Sequence, residues 1–128
     1  MILLDSNALL WALTSPQNFG KLTRRRLDGL GSAFYSPIST FELHLASLKR
    51  GLTELPSNFN EKLGGIGLYE LPFDQESAMR ARDFDHLRSS DPFDWMLISQ
   101  AATSQLDFYT SDQRLLDLGF SWIKDSRN

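Results

Sequence analysis

Cysteine is absent from the 128 residues. That excludes disulfides, thiolate nucleophiles and cysteine-ligated zinc, and it fits a cytoplasmic protein. No apolar stretch approaches the roughly 18 residues of a membrane span, so a soluble protein that does not enter the membrane is expected. The N-terminus has no basic n-region and Asp5 interrupts its apolar run, so it does not read as a secretory signal. The sequence also lacks a glycine-rich phosphate loop ending in Lys-Ser/Thr, a GxGxxG turn and a GxSxG elbow, which removes the usual nucleotide-binding and serine-hydrolase readings. Its two histidines, His44 and His86, have no metal-ligand spacing and read as ordinary polar helix residues.

Length, a hydrophobic content of 41% and 23% charged residues suit a single globular domain, 1–128, with a core of its own. Net charge is −3, which taken alone argues against a nucleic-acid partner. Bound cations would reverse the local field if several carboxylates were metal ligands. Basic residues also cluster, at Arg24-Arg25-Arg26, at Lys49-Arg50 and at Arg80, Arg82 and Arg88; a solvated helix face is the readier explanation of each cluster. Composition therefore leaves a polynucleotide partner open.

Along the chain, Ile2–Leu4 is short and wholly apolar, as expected of a buried central strand. Ser6 or Asn7 is a candidate cap for a short helix through Leu13, and 14–18 reads as a loop. Gly20–Leu30 reads as a helix with Leu22, Leu27 and Leu30 inward, stopped by Gly29 and Gly31. Ala33–Tyr35 is a second strand. Ser39-Thr40-Phe41-Glu42 matches a capping box, opening a helix to Arg50. A weaker helix is expected at 57–63, an edge strand at 68–71 and a helix from Asp74 to about Leu87. Asp91-Pro92 is a strong helix start, and that helix runs to Ala102. Phe108-Tyr109 is a third central strand, 113–118 a short helix and 121–124 a last strand. Trp11, Phe41 and Trp95 read as core residues. Strands alternating with helices imply an α/β fold with a mostly parallel sheet covered on both faces.

Five acids stand at the edges of these apolar segments: Asp5, Glu42, Asp91, Asp94 and Asp112. Helix capping accounts for each one singly, since an N-cap contributes about 0.5–2 kcal/mol. Capping does not account for the apolar strands directly before Asp5 and Asp112. In a parallel sheet those strand ends share one edge, as do the helix starts that follow strands. Gathered carboxylates repel unless protons or cations neutralise them. Mg²⁺ and Mn²⁺ prefer oxygen ligands and often take only one or two carboxylates. Two such ions about 3.5–4 Å apart support phosphodiester cleavage. A metal-assisted reaction on phosphate is the expected chemistry.

Four segments, Leu3-Leu4-Asp5-Ser6-Asn7-Ala8-Leu9-Leu10-Trp11, Ser39-Thr40-Phe41-Glu42-Leu43, Asp91-Pro92-Phe93-Asp94-Trp95-Met96-Leu97-Ile98-Ser99-Gln100-Ala101 and Tyr109-Thr110-Ser111-Asp112, together resemble the PIN-domain nucleases, and within them the VapC-type toxins of bacterial toxin–antitoxin pairs. The resemblance spans nearly the whole chain. It implies a three-layer α/β/α sandwich and a Mg²⁺- or Mn²⁺-dependent endoribonuclease, commonly a homodimer held inactive by a small antitoxin protein. Position by position, Asp5, Glu42, Asp94 and Asp112 match the family's acidic cluster, and Asp91 the additional acid of its DPFD variant. The resemblance assigns Asp5 and Asp94 as principal metal ligands. Glu42 and Asp112 complete the set or hold water on the metal, Asp91 assists or caps, and Asn7 and Ser111 hydrogen-bond ligands or substrate. Related sequences often carry His at Asn7, Lys at Ala46, a basic residue at Ser90 and Arg at Trp95. Two other functions compete: a catalytically weak PIN-like binding or regulatory module, motivated by those neutral positions, and a phosphatase of the haloacid dehalogenase type, in which Asn7 stands where a second acid is expected.

Overall fold

Side chains leave a strand alternately on its two faces, so a run such as Ile2-Leu3-Leu4 needs cover on both sides. The computed structural model, which describes residues 1–51 and 54–128, supplies it. Among the described residues, β1 (Ile2–Leu4), β2 (Ala33–Tyr35), β3 (Leu68–Glu70), β4 (Asp107–Thr110) and β5 (Ile123–Asp125) form one sheet. Every pairing is parallel, in the order β3-β2-β1-β4-β5. Ile2, Leu4 and Tyr109 enter one apolar cluster with Ala8, Leu9 and Leu63. Leu3 and Phe108 enter another with Leu97, Ile98 and Ala101. The result is a three-layer α/β/α sandwich.

The helices are α1 (Ser6–Thr14), α2 (Lys21–Leu30), α3 (Pro37–Arg50), α4 (Phe59–Gly65), α5 (Gln75–Arg80), α6 (Pro92–Ser104) and α7 (Gln113–Leu116), with 3-10 segments at Pro16–Asn18 and Ala81–Leu87. From β1 the chain steps outward to β2 and β3, then returns to place β4 on the other side of β1. The loops after β1 and β4 therefore diverge at the middle of the sheet. Such a switch point is where open parallel sheets bind ligands.

Several expectations are corrected. The capping box at Ser39 does not form. Ser36 is the N-cap, its hydroxyl accepting from Ile38 N–H at 3.1 Å, with Pro37 at the first helical position. Proline's fixed φ and missing N–H favour that position, so α3 begins earlier than the box would place it. Leu22 and Leu30 of α2 face solvent. Thr23 is the buried residue of that helix, because its N–H and hydroxyl donate to the Asn128 carbonyl at 2.9 and 3.1 Å. Gly20 permits this approach: a Cβ there would lie 2.1 Å from the Asn128 backbone. The helix expected from Asp74 to Leu87 gives way to 3-10 geometry at Ala81, with Phe84 non-helical (φ −125°, ψ 36°), its ring turned against Phe120 and Trp122. Phe41 is exposed and lies beside Phe93 rather than in the core. No helix among the described residues is long and apolar enough to cross a membrane.

Candidate active site

Asp5 follows the last buried residue of β1 and caps α1: its Oδ1 accepts from Ala8 N–H at 2.8 Å. Its Oδ2 accepts from the Thr110 hydroxyl, at the end of neighbouring β4, at 2.6 Å. Thr110 Oγ1 in turn accepts from Asp112 N–H at 3.0 Å. One buried hydroxyl thus ties together the acids that end the two strands at the switch point. Asp112 caps α7 through Arg114 N–H at 2.9 Å.

Glu42 lies in the second turn of α3, too far along to be a cap. Its Oε1 accepts from the Ser6 hydroxyl at the start of α1. With the capping box gone, no local backbone role accounts for this acid. Asp91 caps α6 through Phe93 N–H at 2.8 Å, and Asp94 follows in the first turn. Its carboxylate accepts no hydrogen bond among the described residues.

All seven residues expected at the site converge. Asp5, Glu42, Asp91, Asp94, Asp112, Asn7 and Ser111 line one pocket of about 310 Å³, together with Ser6 and Arg114. Asn7 and Ser111 close its rim, Asn7 Nδ2 donating to Ser111 Oγ at 2.9 Å. Sequence reasoning missed Ser6, Thr110 and Arg114. Of these, Arg114 left a trace: the Asp-x-Arg spacing of 112–114 recurs at 125–127.

The electrostatics follow from crowding. Asp94 is pushed up to about 7, first by burial and then by Asp91, Glu42, Asp5 and Asp112. Asp5 rises to about 6, again through burial and then Glu42 and Asp112, against the lowering hydrogen bonds of Thr110 and Ala8. Burial raises Glu42 as well, with Asp91 adding to it and the Ser6 hydroxyl opposing. Asp112 is instead held below the usual range, because the Arg114 guanidinium hydrogen-bonds its carboxylate.

An oxygen-only ring with this much repulsion suits a hard divalent cation. As the side chains stand, no three metal-ligating residues among those described are drawn tightly enough to grip one ion together. The ring is therefore an open one. Mg²⁺ keeps several waters and takes one or two carboxylates, so it does not require a closed set.

The PIN domain family model matches residues 2–121. The chain belongs to the PIN-domain family. Among solved structures, this PIN domain is similar to a chain of VapBC2 from Rickettsia felis bound to a DNA fragment from their promoter, with TM-score 0.70, 16% identity and 98% of each chain covered. It is similar to a chain of DNA-bound VapBC from Salmonella typhimurium, with TM-score 0.64, 18% identity, and 97% of this chain and 95% of that one covered. A chain of FitAcB from Neisseria gonorrhoeae gives TM-score 0.56 and 22% identity, with 88% of each covered. Comparison with curated proteins finds no match.

Proposed function

We propose that this PIN domain is a Mg²⁺- or Mn²⁺-dependent endoribonuclease, the toxin of a VapC-type toxin–antitoxin pair in the cytoplasm. PIN domains are generally nucleases. The observation that carries the reading is the convergence of Asp5, Glu42, Asp94 and Asp112 from four separate segments on one pocket at the sheet's switch point. Each acid has its own assignment. Asp5 and Asp94 are the principal ligands. Glu42, oriented by Ser6, and Asp112 complete the set, while Asp91 caps α6 and adds negative charge. Asn7 and Ser111, already bonded across the rim, contact the RNA strand. When bound, such a cation would neutralise the carboxylates of Asp5 and Asp94, polarise the phosphate and lower the pKa of the water it holds. The structural neighbours from VapBC complexes support a small antitoxin protein as partner, and family precedent supports a homodimer.

Cleavage of a mixed RNA substrate, wild type beside Asp5→Asn under chelator and under Mn²⁺, tests this. Cleavage by wild type only with Mn²⁺, lost in the variant, is expected; asparagine keeps an Oδ1 for Ala8 N–H, so the helix cap survives. RNA binding without cleavage in any metal would instead support a binding module, the reading favoured by the neutral Asn7, Ala46, Ser90 and Trp95.

A further inference from the structure

Among the pocket's lining residues, Arg114 is the one cation beside five carboxylates. Its guanidinium grips Asp112 with two hydrogen bonds, Nη2 to Oδ2 at 2.8 Å and Nε to Oδ1 at 3.2 Å. Both oxygens of a carboxylate assigned to the cation are therefore already engaged by an internal cation. The side chain is 81% exposed and finds no other partner among the described residues, so nothing but Asp112 holds it in place.

The molecule carries its own control. Asp125-Ser126-Arg127 repeats the clasp after β5: Arg127 Nε and Nη2 reach Asp125 Oδ1 and Oδ2, each at 2.8 Å, and its N–H reaches Oδ1 at 2.9 Å. Arg127 is additionally fixed by Gln113 Oε1 at 3.0 Å. That clasp lies off the pocket, and it shows what a purely local brace looks like. Arg114 has the same local hydrogen bonds, lacks the extra anchor and faces the acids.

We propose that Arg114 is a transferable counter-ion: it occupies Asp112 while no divalent cation is bound, and passes to an RNA phosphate next to the scissile one when the cation takes Asp112. The inference rests on the metal-dependent reading above. Its physical basis is competition. Arg114 N–H and Nε already occupy Asp112 Oδ1, and Nη2 takes a share of Oδ2. A divalent ion on that carboxylate therefore competes with the guanidinium for lone pairs and repels its charge. A released guanidinium beside a polyanion pairs with phosphate in the same forked geometry. It supplies a phosphate contact that the neutral Asn7, Ala46, Ser90 and Trp95 do not.

Calorimetric titration of Mn²⁺ into chelator-stripped full-length protein separates the roles. Arg114→Ala is expected to bind Mn²⁺ about threefold to tenfold more tightly than wild type, because a competing charge is gone. Arg127→Ala should bind it as wild type does. A brace predicts the opposite, weaker Mn²⁺ binding once Asp112 loses its support; that result, or no change, overturns the proposal. In a second arm, a cleavage-resistant phosphorothioate oligoribonucleotide is bound at saturating Mn²⁺. Arg114→Ala should lose about tenfold in affinity and reduce the log–log salt slope by about 0.7, Arg114→Lys should restore the slope, and chelator should erase the difference. An equal loss with and without Mn²⁺ would show that Arg114 never changes partner. Wild type that binds no Mn²⁺ would bring down the metal reading itself, and this inference with it.

Discussion

Asp5 and Asp112 follow neighbouring parallel strands, and the Thr110 hydroxyl bonds both, donating to the Asp5 carboxylate and accepting from Asp112 N–H. Yet the two carboxyls are shifted in opposite directions. Asp5 is 6% exposed and receives only neutral donors, so burial and nearby acids lift it to about 6. Asp112 stands at the rim with a guanidinium on both oxygens, and is held low. Topology delivers both acids to one place. Solvent and the immediate partner then decide which holds a proton more readily and which less. The difference teaches that the site is strained on its buried side, while at the rim Asp112 already has a counter-charge.

The strongest attack on that contrast is Asp94→Asn, which removes the most perturbed acid. Metal-dependent cleavage should fall by about 100-fold or more. The metal-free variant should meanwhile be more stable than wild type at pH 8 by about 1–2 kcal/mol, since a half-buried like charge is gone. Chemical denaturation under chelator reads this directly, and a less stable variant would break the contrast.

Next is pH. Asp5 and Asp94 both have raised folded-state pKa values. Their contribution to stability is fully present below about 4, the ordinary aspartate value, and is lost as pH rises through about 6 and about 7. Saturating Mn²⁺, at about 100 times its Kd, adds about 2.7 kcal/mol. Thermal melts should therefore show a larger Mn²⁺-induced rise at pH 8 than at pH 5, where protons compete for the same oxygens. An equal rise at both would place the metal elsewhere.

Thr110→Val sharpens the comparison by cutting the bridge between the strand ends. Loss of the hydroxyl leaves Asp5 Oδ2 and Asp112 N–H without their partner and should cost about 1–3 kcal/mol. It should also move the pH midpoint of metal binding upward, because Asp5 loses a donor to its charged form. A destabilised variant with an unmoved midpoint would leave Thr110 structural only. The smallest effect belongs to the rim: Asp91→Ala should cost about 1 kcal/mol as a lost N-cap while cleavage persists at a reduced rate, measured by denaturation and by RNA turnover.

Much of this was legible in the residues because it rests on short-range rules. Ile2-Leu3-Leu4 had to be a two-sided strand, Asp91-Pro92 had to start a helix, and the acids after strands had to share an edge. The errors arose where two local signals competed or where tertiary contacts overrode one. Ser36-Pro37 and Ser39-x-x-Glu42 both announce a helix start, and the proline decided between them, leaving Ser39 buried with a hydroxyl that has no partner among the described residues. Leu22 looked inward by periodicity, but residues 126–128 pack on the face that carries Thr23. Phe84 left helical geometry to reach Phe120 and Trp122, a contact across about 36–38 positions that no local pattern encodes. Arg114 went unread because a lone basic residue after an N-cap looks like ordinary surface charge.

Asp5 and Asp94 share one electrostatic field, which a divalent cation in the pocket would relieve. Carboxyl carbon NMR titration of the two residues, under chelator and then with saturating Mg²⁺, tests it most directly. Midpoints near 6 for Asp5 and near 7 for Asp94 are predicted under chelator, both falling below about 4 with Mg²⁺. Two midpoints already near 4 and indifferent to Mg²⁺ would contradict the account.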